Sequence, residues 1–401
     1  MELRKEVSTS EKHICPSCGS DNLLPFYEVR GVPVNSCMLF SNHGEAVNFP
    51  LGDVSLSFCK SCAFIFNVNF DASKLDYSSL APEEQGFSPT FNAYAQRLAT
   101  RLIKTYNLQN KRISEIGCGR GDFLAQLCEM GNNFGVGIDP STVSGKLPEN
   151  VSDDLMFVRD YYSERYGKYL GDFVVCRHTL EHISKTANFL NSVRLGIGTN
   201  SSHVFFEVPD VTRILHEVAF WDIYYEHCSY FNLGSLARLF RSCNFEVVNL
   251  MKDYFDQYLL IEAKPVNQKS KNIDEKEESI ADSARIVKLF SKSCQDKLDN
   301  WKNLLKQVKS EKKRAIVWGS GSKCVAFMTT LGVKDEIEYI VDINPNRHGK
   351  FIPGAGKQII SPEFLKQYKP NTVIVMNPVY SAEIKKHLED MGIDAEIIPC
   401  I

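Results

Sequence analysis

The run "KRISEIGCGRGDFLAQL", residues 111–127, constrains the fold more than any other part of the chain. An apolar strand pattern enters three glycines at alternate positions, Gly117, Gly119 and Gly121, and leaves as a helix pattern. Glycines there let the backbone approach a ligand closely where a helix begins. "GVGIDPS" follows and puts Asp139 at the end of the next strand, twenty residues after Gly119. A carboxylate at that place can take both hydroxyls of a ribose, and the spacing by itself allows NAD. The further strand candidates are "NFGVGID", "DFVVCRH", "HVFFEVPD", "FEVVNLM" and "YLLIEAKP", the earlier ones separated by helical stretches. That alternation predicts a doubly wound parallel α/β sheet. Only "KDYFDQ" joins the last two runs, which suits an antiparallel hairpin.

Four regions follow from this punctuation: 1–85, 86–266, 267–312 and 313–401. The polar "VNQKSKNIDEKEES" reads as a linker. It enters a long amphipathic helix with Ile280, Ala284, Val287, Phe290, Cys294, Leu298, Trp301, Leu305 and Val308 on one stripe. That stripe predicts packing against a core ahead of a coiled coil. At "RAIVWGSGSK" a second strand, glycine turn and helix begins a smaller α/β unit. Cys324 stands where a dinucleotide fingerprint has its third glycine, and Asp342 follows. A phosphate-cradling turn and a ligand-free packing domain both fit this pattern.

The amino-terminal region carries Cys15-Pro-Ser-Cys18 and Cys59-Lys-Ser-Cys62. Two such knuckles complete a tetrahedral all-thiolate site, which has no open position for water and so is structural zinc. Unrelated thiol pairs or a redox dithiol are the other readings, and Cys37 lies between the knuckles. Thirteen cysteines, without an apolar leader pattern, fit reduced thiols and a cytoplasmic protein. The net charge of −3 argues against nucleic acid or an anionic membrane surface as partner. No apolar run approaches the ~20 residues of a membrane span.

The stretch "WDIYYEHCSYF" crowds Tyr224, Tyr225, Glu226, His227 and Tyr230 together after the strand "HVFFEVPD". Loops at that edge of a doubly wound sheet face the ligand crevice. His227 is therefore a candidate general base, with a tyrosine or glutamate beside it to orient it or hold an oxyanion. A packed aromatic corner around a core histidine is the competing reading. "HTLEH", His178 to His182, formally matches a metalloprotease pattern, but it follows a strand directly, whereas that pattern needs a continuous helix.

Glu115-Ile-Gly-Cys-Gly-x-Gly, with the closing "SLARLFRSCNFEVVNLMKDYFDQYLLIEA", resembles class I S-adenosylmethionine-dependent methyltransferases. The resemblance implies a Rossmann-like core binding S-adenosylmethionine through Glu115, Gly117, Gly119, Gly121 and Asp139. It sets Asp160 near the adenine and His178 at the methionine end, with Glu181 and His182 opening the next helix. The whole order of parts, through "HTLEHI", "YYEH" and "VWGSGSK...YIVDINPNRHGKFIPG...PEFL", is similar to the sugar C-methyltransferases. These act on nucleotide-linked 4-keto-6-deoxy sugars. By position the likeness implies Tyr224, Glu226, His227 and Tyr77 as active-site residues, and Cys15, Cys18, Cys59 and Cys62 as zinc ligands. It also implies a carboxyl-terminal Rossmann-like domain, which we expect to close over the crevice and help hold the nucleotide diphosphate. Arg347, His348 and Lys350 are candidates there, although an exposed basic loop is the commoner explanation of such a cluster. "NPVY", Asn377 to Tyr380, resembles the asparagine-proline motif of amino-group methyltransferases, yet it stands in the last domain. An O- or N-methyltransferase, an RNA methyltransferase with a zinc knuckle, and a non-catalytic nucleotide binder are the rival readings.

Overall fold

The computed structural model describes residues 13–75, 77, 86–142 and 154–401. Strands β1 (Leu23–Pro33), β2 (Leu51–Cys59) and β3 (Ile65–Asn67) form an antiparallel amino-terminal sheet. In β2, Val54, Leu56 and Phe58 point inward at the strand period of two. Leu23 pairs with Cys59, so the sheet register carries the first cysteine knuckle onto the second.

The central sheet holds β4 (Arg112–Ile116), β5 (Phe134–Ile138), β6 (Leu155–Val158), β7 (Phe173–Arg177) and β8 (His203–Pro209), all parallel. Every residue of β7 is buried, as a strand covered on both faces requires. The two-residue β9 (Ser229–Tyr230) leaves this sheet and pairs with β3. Strands β10 (Phe245–Asp253) and β11 (Tyr258–Pro265) close the sheet as the antiparallel hairpin expected from their short connection. The order is β10-β11-β8-β7-β4-β5-β6. Strand succession reverses between β4 and β7, so the crevice opens outside their carboxyl ends. The first helix of this unit, Pro89–Tyr106, starts where the Ser88 hydroxyl accepts from the Phe91 N–H, and it buries Tyr94, Leu98 and Leu102.

Helix Ile280–Ser310 buries Val287, Phe290, Cys294, Trp301, Leu305 and Val308. Phe290 meets Tyr27 of the amino-terminal sheet edge-on at 5.6 Å, and Trp301 meets Trp221 and Phe327. The stripe is thus core packing that joins three parts of the chain. The last unit is a parallel sheet of β12 (Ala315–Trp318), β13 (Tyr339–Val341), β14 (Gln358–Ile360), β15 (Thr372–Val375) and β16 (Glu396–Pro399). Its order, β14-β13-β12-β15-β16, reverses beside the turn Gly319–Ser322. Among the described residues no helix is long and apolar enough to cross a membrane.

Candidate functional site

Cys15, Cys18, Cys59 and Cys62 bring their sulfurs within 4.8 Å of one another, and the Cys15–Cys62 and Cys18–Cys59 distances are both 3.6 Å. Thiolates at ~2.3 Å from a tetrahedral zinc stand roughly 3.8 Å apart, close to the spacing of these two pairs, so the donor set fits that ion. None of the four is in a disulfide. Cys37 is elsewhere: its sulfur lies 3.1 Å from the Ser322 hydroxyl, on the wall of the central cavity.

The glycine turn after β4 is built as a cradle. Gly117 has φ +72°, and a Cβ there would stand 2.0 Å from the Thr179 hydroxyl. Gly121 has φ +82° and would meet the Phe157 ring at 2.4 Å. The Gly119 N–H donates to Asp139 Oδ2 (2.8 Å), while Oδ1 accepts from the Ser141 N–H (2.7 Å). Oδ1 also accepts the Ser141 hydroxyl (2.6 Å), so Oδ2 is the oxygen that keeps a second lone pair for a ligand hydroxyl. Glu115 is buried beneath the turn and its Oε2 has no partner among the described residues. Burial, with Asp139 nearby, pushes its pKa up to about 8 against the pull of Arg177. A buried carboxyl lacking a partner suits a polar ligand group above it. Asp160 stands beyond β6, next along the same edge, and accepts from the Tyr161 N–H and the Tyr166 hydroxyl.

His178 follows β7 in the left-handed region, φ +49°, anchored by its N–H to the Glu207 carbonyl (2.9 Å). Its Nε2 lies 2.7 Å from the Glu207 carboxylate, which also accepts Arg177 Nε and Nη2 at 3.0 and 3.1 Å. Burial alone would lower the His178 pKa, but Glu207 and Glu181 raise it to about 9. Leu180–His182 is a single 3-10 turn, and the next helix starts only at Thr186. Glu181 and His182 therefore do not open that helix, because the chain first crosses the crevice. The metalloprotease pattern has no helix to stand on here.

The aromatic stretch divides its labour. Tyr225 is core: its hydroxyl accepts the Asp71 N–H (2.8 Å) and its ring fills the space that a Cβ on Gly52 would need. Tyr230 is also buried in the core. Tyr224 and His227 instead line a cavity of about 360 Å³, their rings 4.2 Å apart. The His227 ring also stands 4.8 Å from His182. Burial, then the charges of His182, His178 and Lys323, hold the His227 pKa well below the ordinary histidine range. Burial, then Asp222 and Glu226, keep the Tyr224 phenol protonated. Glu226 lines the same cavity, and its Oε1 accepts the Ser36 N–H (2.9 Å) and the Ser36 hydroxyl. Tyr77 closes the site with its hydroxyl 3.0 Å from His182 Nδ1. Residues 78–85, which follow it, lie outside the described residues.

The carboxyl-terminal unit supplies the opposite wall. Gly319 to Lys323, Asp342, Arg347, Asn377 and Tyr380 all line the cavity. Arg347 donates to the Ser320 hydroxyl (3.1 Å). His348 turns inward to the Asp342 carbonyl (2.8 Å), and Lys350 is not on the wall, so the basic cluster contributes only Arg347. Lys323 crosses the gap to Asp222 at 2.9 Å, and Arg213 pairs with the same carboxylate. "NPVY" meets the β10–β11 turn, where Asn377 and Gln257 exchange side-chain hydrogen bonds and Tyr380 touches the Tyr254 hydroxyl at 2.6 Å. None of these pairings has a local sequence signal.

A methyltransferase-domain family model matches residues 90–250, and that of a C-methyltransferase C-terminal domain matches residues 259–396. The chain therefore carries a methyltransferase domain followed by a C-methyltransferase C-terminal domain. The second match begins in β11 and takes in the long helix and most of the last sheet. C-methyltransferase NovU of Streptomyces niveus is 25% identical, over 94% of this chain and 93% of that one. Among solved structures, 1,6-didemethyltoxoflavin-N1-methyltransferase of Burkholderia thailandensis is 15% identical over 43% of this chain and 79% of that one, TM-score 0.34. Magnesium protoporphyrin IX methyltransferase of Synechocystis PCC 6803 is 12% identical over 44% and 84%, TM-score 0.34.

Proposed function

We propose that this methyltransferase places a methyl group on a ring carbon of a nucleotide-linked 4-keto-6-deoxy sugar, with His227 as general base. The observation that carries the reading is His227 itself. It is a buried, neutral imidazole beside a protonated Tyr224, on a cavity walled by both α/β units. The match to a C-methyltransferase C-terminal domain and the likeness to NovU support carbon as the acceptor.

Bound S-adenosylmethionine supplies an electrophilic methyl carried on a sulfonium. Glu115, Gly117, Gly119, Gly121, Asp139 and Asp160 are the residues that would hold it, with His178 toward its methionine end. His227 takes the proton from the sugar carbon next to the ketone, and that bond's electrons move into an enolate. The Tyr224 hydroxyl donates to the enolate oxygen. The enolate carbon held there is the nucleophile for the methyl group that bound S-adenosylmethionine would supply, the product being the C-methylated ketone. His227 afterwards returns its proton to solvent. Glu226 fixes the loop through Ser36, and Tyr77 steadies His182. Holding both reactants in a buried cavity supplies much of the acceleration.

The cleft edge at Ser320 and Arg347 suits a nucleotide diphosphate, whose charge Arg347 matches. Cys15, Cys18, Cys59 and Cys62 hold structural zinc, which supports the sheet that β9 ties to the active-site loop. The test is S-adenosylmethionine with a carbon-13 methyl, offered with a panel of such sugars and read by a carbon–proton spectrum. An aliphatic methyl coupled to a ring carbon is expected. A methyl shifted by attached oxygen or nitrogen would overturn carbon transfer, and a panel without product would overturn the sugar class.

A further inference from the structure

Glu181, His182 and His227 each bring one ligand atom to a point where the three lie within 4.8 Å of one another. They come from the turn after β7 and from the loop before β9, parts of the chain that meet only in the fold. Two imidazoles and a carboxylate with open positions are the donor set of three-ligand sites for Zn²⁺ and other first-row divalent ions. Ligands on such an ion stand roughly 3.4 Å apart, so closing the trio asks for side-chain shifts of about 1 Å.

A second observation points to a cation. Glu181 is 2% exposed, and its Oε2 is buried without a hydrogen-bond partner among the described residues. Its other oxygen is 3.7 Å from His178 Nδ1. A buried carboxylate oxygen with no donor is an unfavourable group until a proton donor or a metal meets it. His182 is held as metal-bound histidines are, with Nδ1 3.0 Å from both the Tyr77 hydroxyl and the Glu226 carbonyl. All three residues line the cavity, so an ion enters by the substrate's route. The set differs from the formal H-x-x-E-H pattern, since His178 is engaged by Glu207 and His227 takes its place.

We propose that Glu181, His182 and His227 form a divalent-metal site whose occupation switches methyl transfer off. The ion would sit on the His227 lone pair that accepts the substrate proton, and a chelator would release it. The effect on activity rests on His227 being the base, as proposed above; the binding itself does not.

The test uses the full chain with zinc in its cysteine site, titrated with Co²⁺. One further equivalent is expected, with visible bands of nitrogen- and oxygen-ligated Co²⁺ and no thiolate charge-transfer band. Methyl transfer should fall in step and return with EDTA. Glu181→Gln and His182→Gln should each weaken this binding by at least about tenfold, while Cys15→Ser should leave it. No further equivalent, or one that both variants retain, would overturn the site. Binding with undiminished methyl transfer would overturn the switch. Binding by a protein that transfers no methyl to any sugar would support the site and count against the proposed reaction alone.

Discussion

Replacing Glu207 with glutamine keeps the side chain's shape and removes one charge from beneath His178. The Glu207 side chain is fully buried and holds Arg177 through two hydrogen bonds, and the Arg177 side chain is 8% exposed. Removing one partner of such a pair destabilises by ~3–5 kcal/mol, because it strands the other charge. The expected loss is therefore about 3–5 kcal/mol at pH 7. The second consequence concerns His178, whose folded pKa of about 9 stands above its ordinary 6.5. A raised folded value means stability that is present below pH 6.5 and lost as pH climbs through 9. The gap corresponds to ~3 kcal/mol for the interaction of His178 with Glu207 and Glu181. Urea denaturation from pH 6 to 9.5, with proton spectra of the His178 ring, measures both. Glu207→Gln should be less stable at pH 7, lack most of the alkaline decline, and show His178 titrating well below 9. Arg177→Met combined with Glu207→Leu should recover most of the lost stability. A Glu207→Gln protein within ~1 kcal/mol of the parent at pH 7, or His178 still near 9, would refute the reasoning.

His227→Ala should lower kcat by about 10²–10⁴ while S-adenosylmethionine affinity, measured by calorimetry, stays within a few fold; equal loss of both would return the residue to a structural role. Because the His227 pKa is held below 6.5, its base form prevails at neutrality. The rate should therefore fall only in acid, and an acid limb with its midpoint at or above 6.5 would contradict this. Cys15→Ser should lose one equivalent of zinc by elemental analysis and lower the thermal midpoint; unchanged zinc would exclude the four-cysteine site. Gly121→Ala meets both φ +82° and the Phe157 ring at 2.4 Å. The left-handed backbone alone costs about 1 kcal/mol, so cofactor affinity should drop at least about fivefold, with partial rescue by Phe157→Leu.

Much of this protein was legible along the chain, because the signals are local. Alternating strands and helices required a doubly wound sheet, and "KDYFDQ" was too short for anything but a hairpin between β10 and β11. The glycines at 117 and 121 mark backbone that no other residue fits. The stripe on Ile280–Ser310 announced a core-facing helix, although not that it would join three regions. Tertiary structure decided which residues of the aromatic stretch face the cavity. Tyr224 and Tyr225 are adjacent and equally aromatic, yet Tyr225 is committed to Gly52 and Asp71, more than 150 positions away. The turn of Glu226 toward Ser36, the approach of His182 to Tyr77 and His227, and the Lys323–Asp222 bridge belong to the same class. So does the exclusion of His348 and Lys350 from the cavity wall. Backbone geometry and hydrophobic period are properties of neighbouring residues and can be read in order. The site is a set of long-range pairings, chosen when three separately patterned pieces bury their apolar faces together.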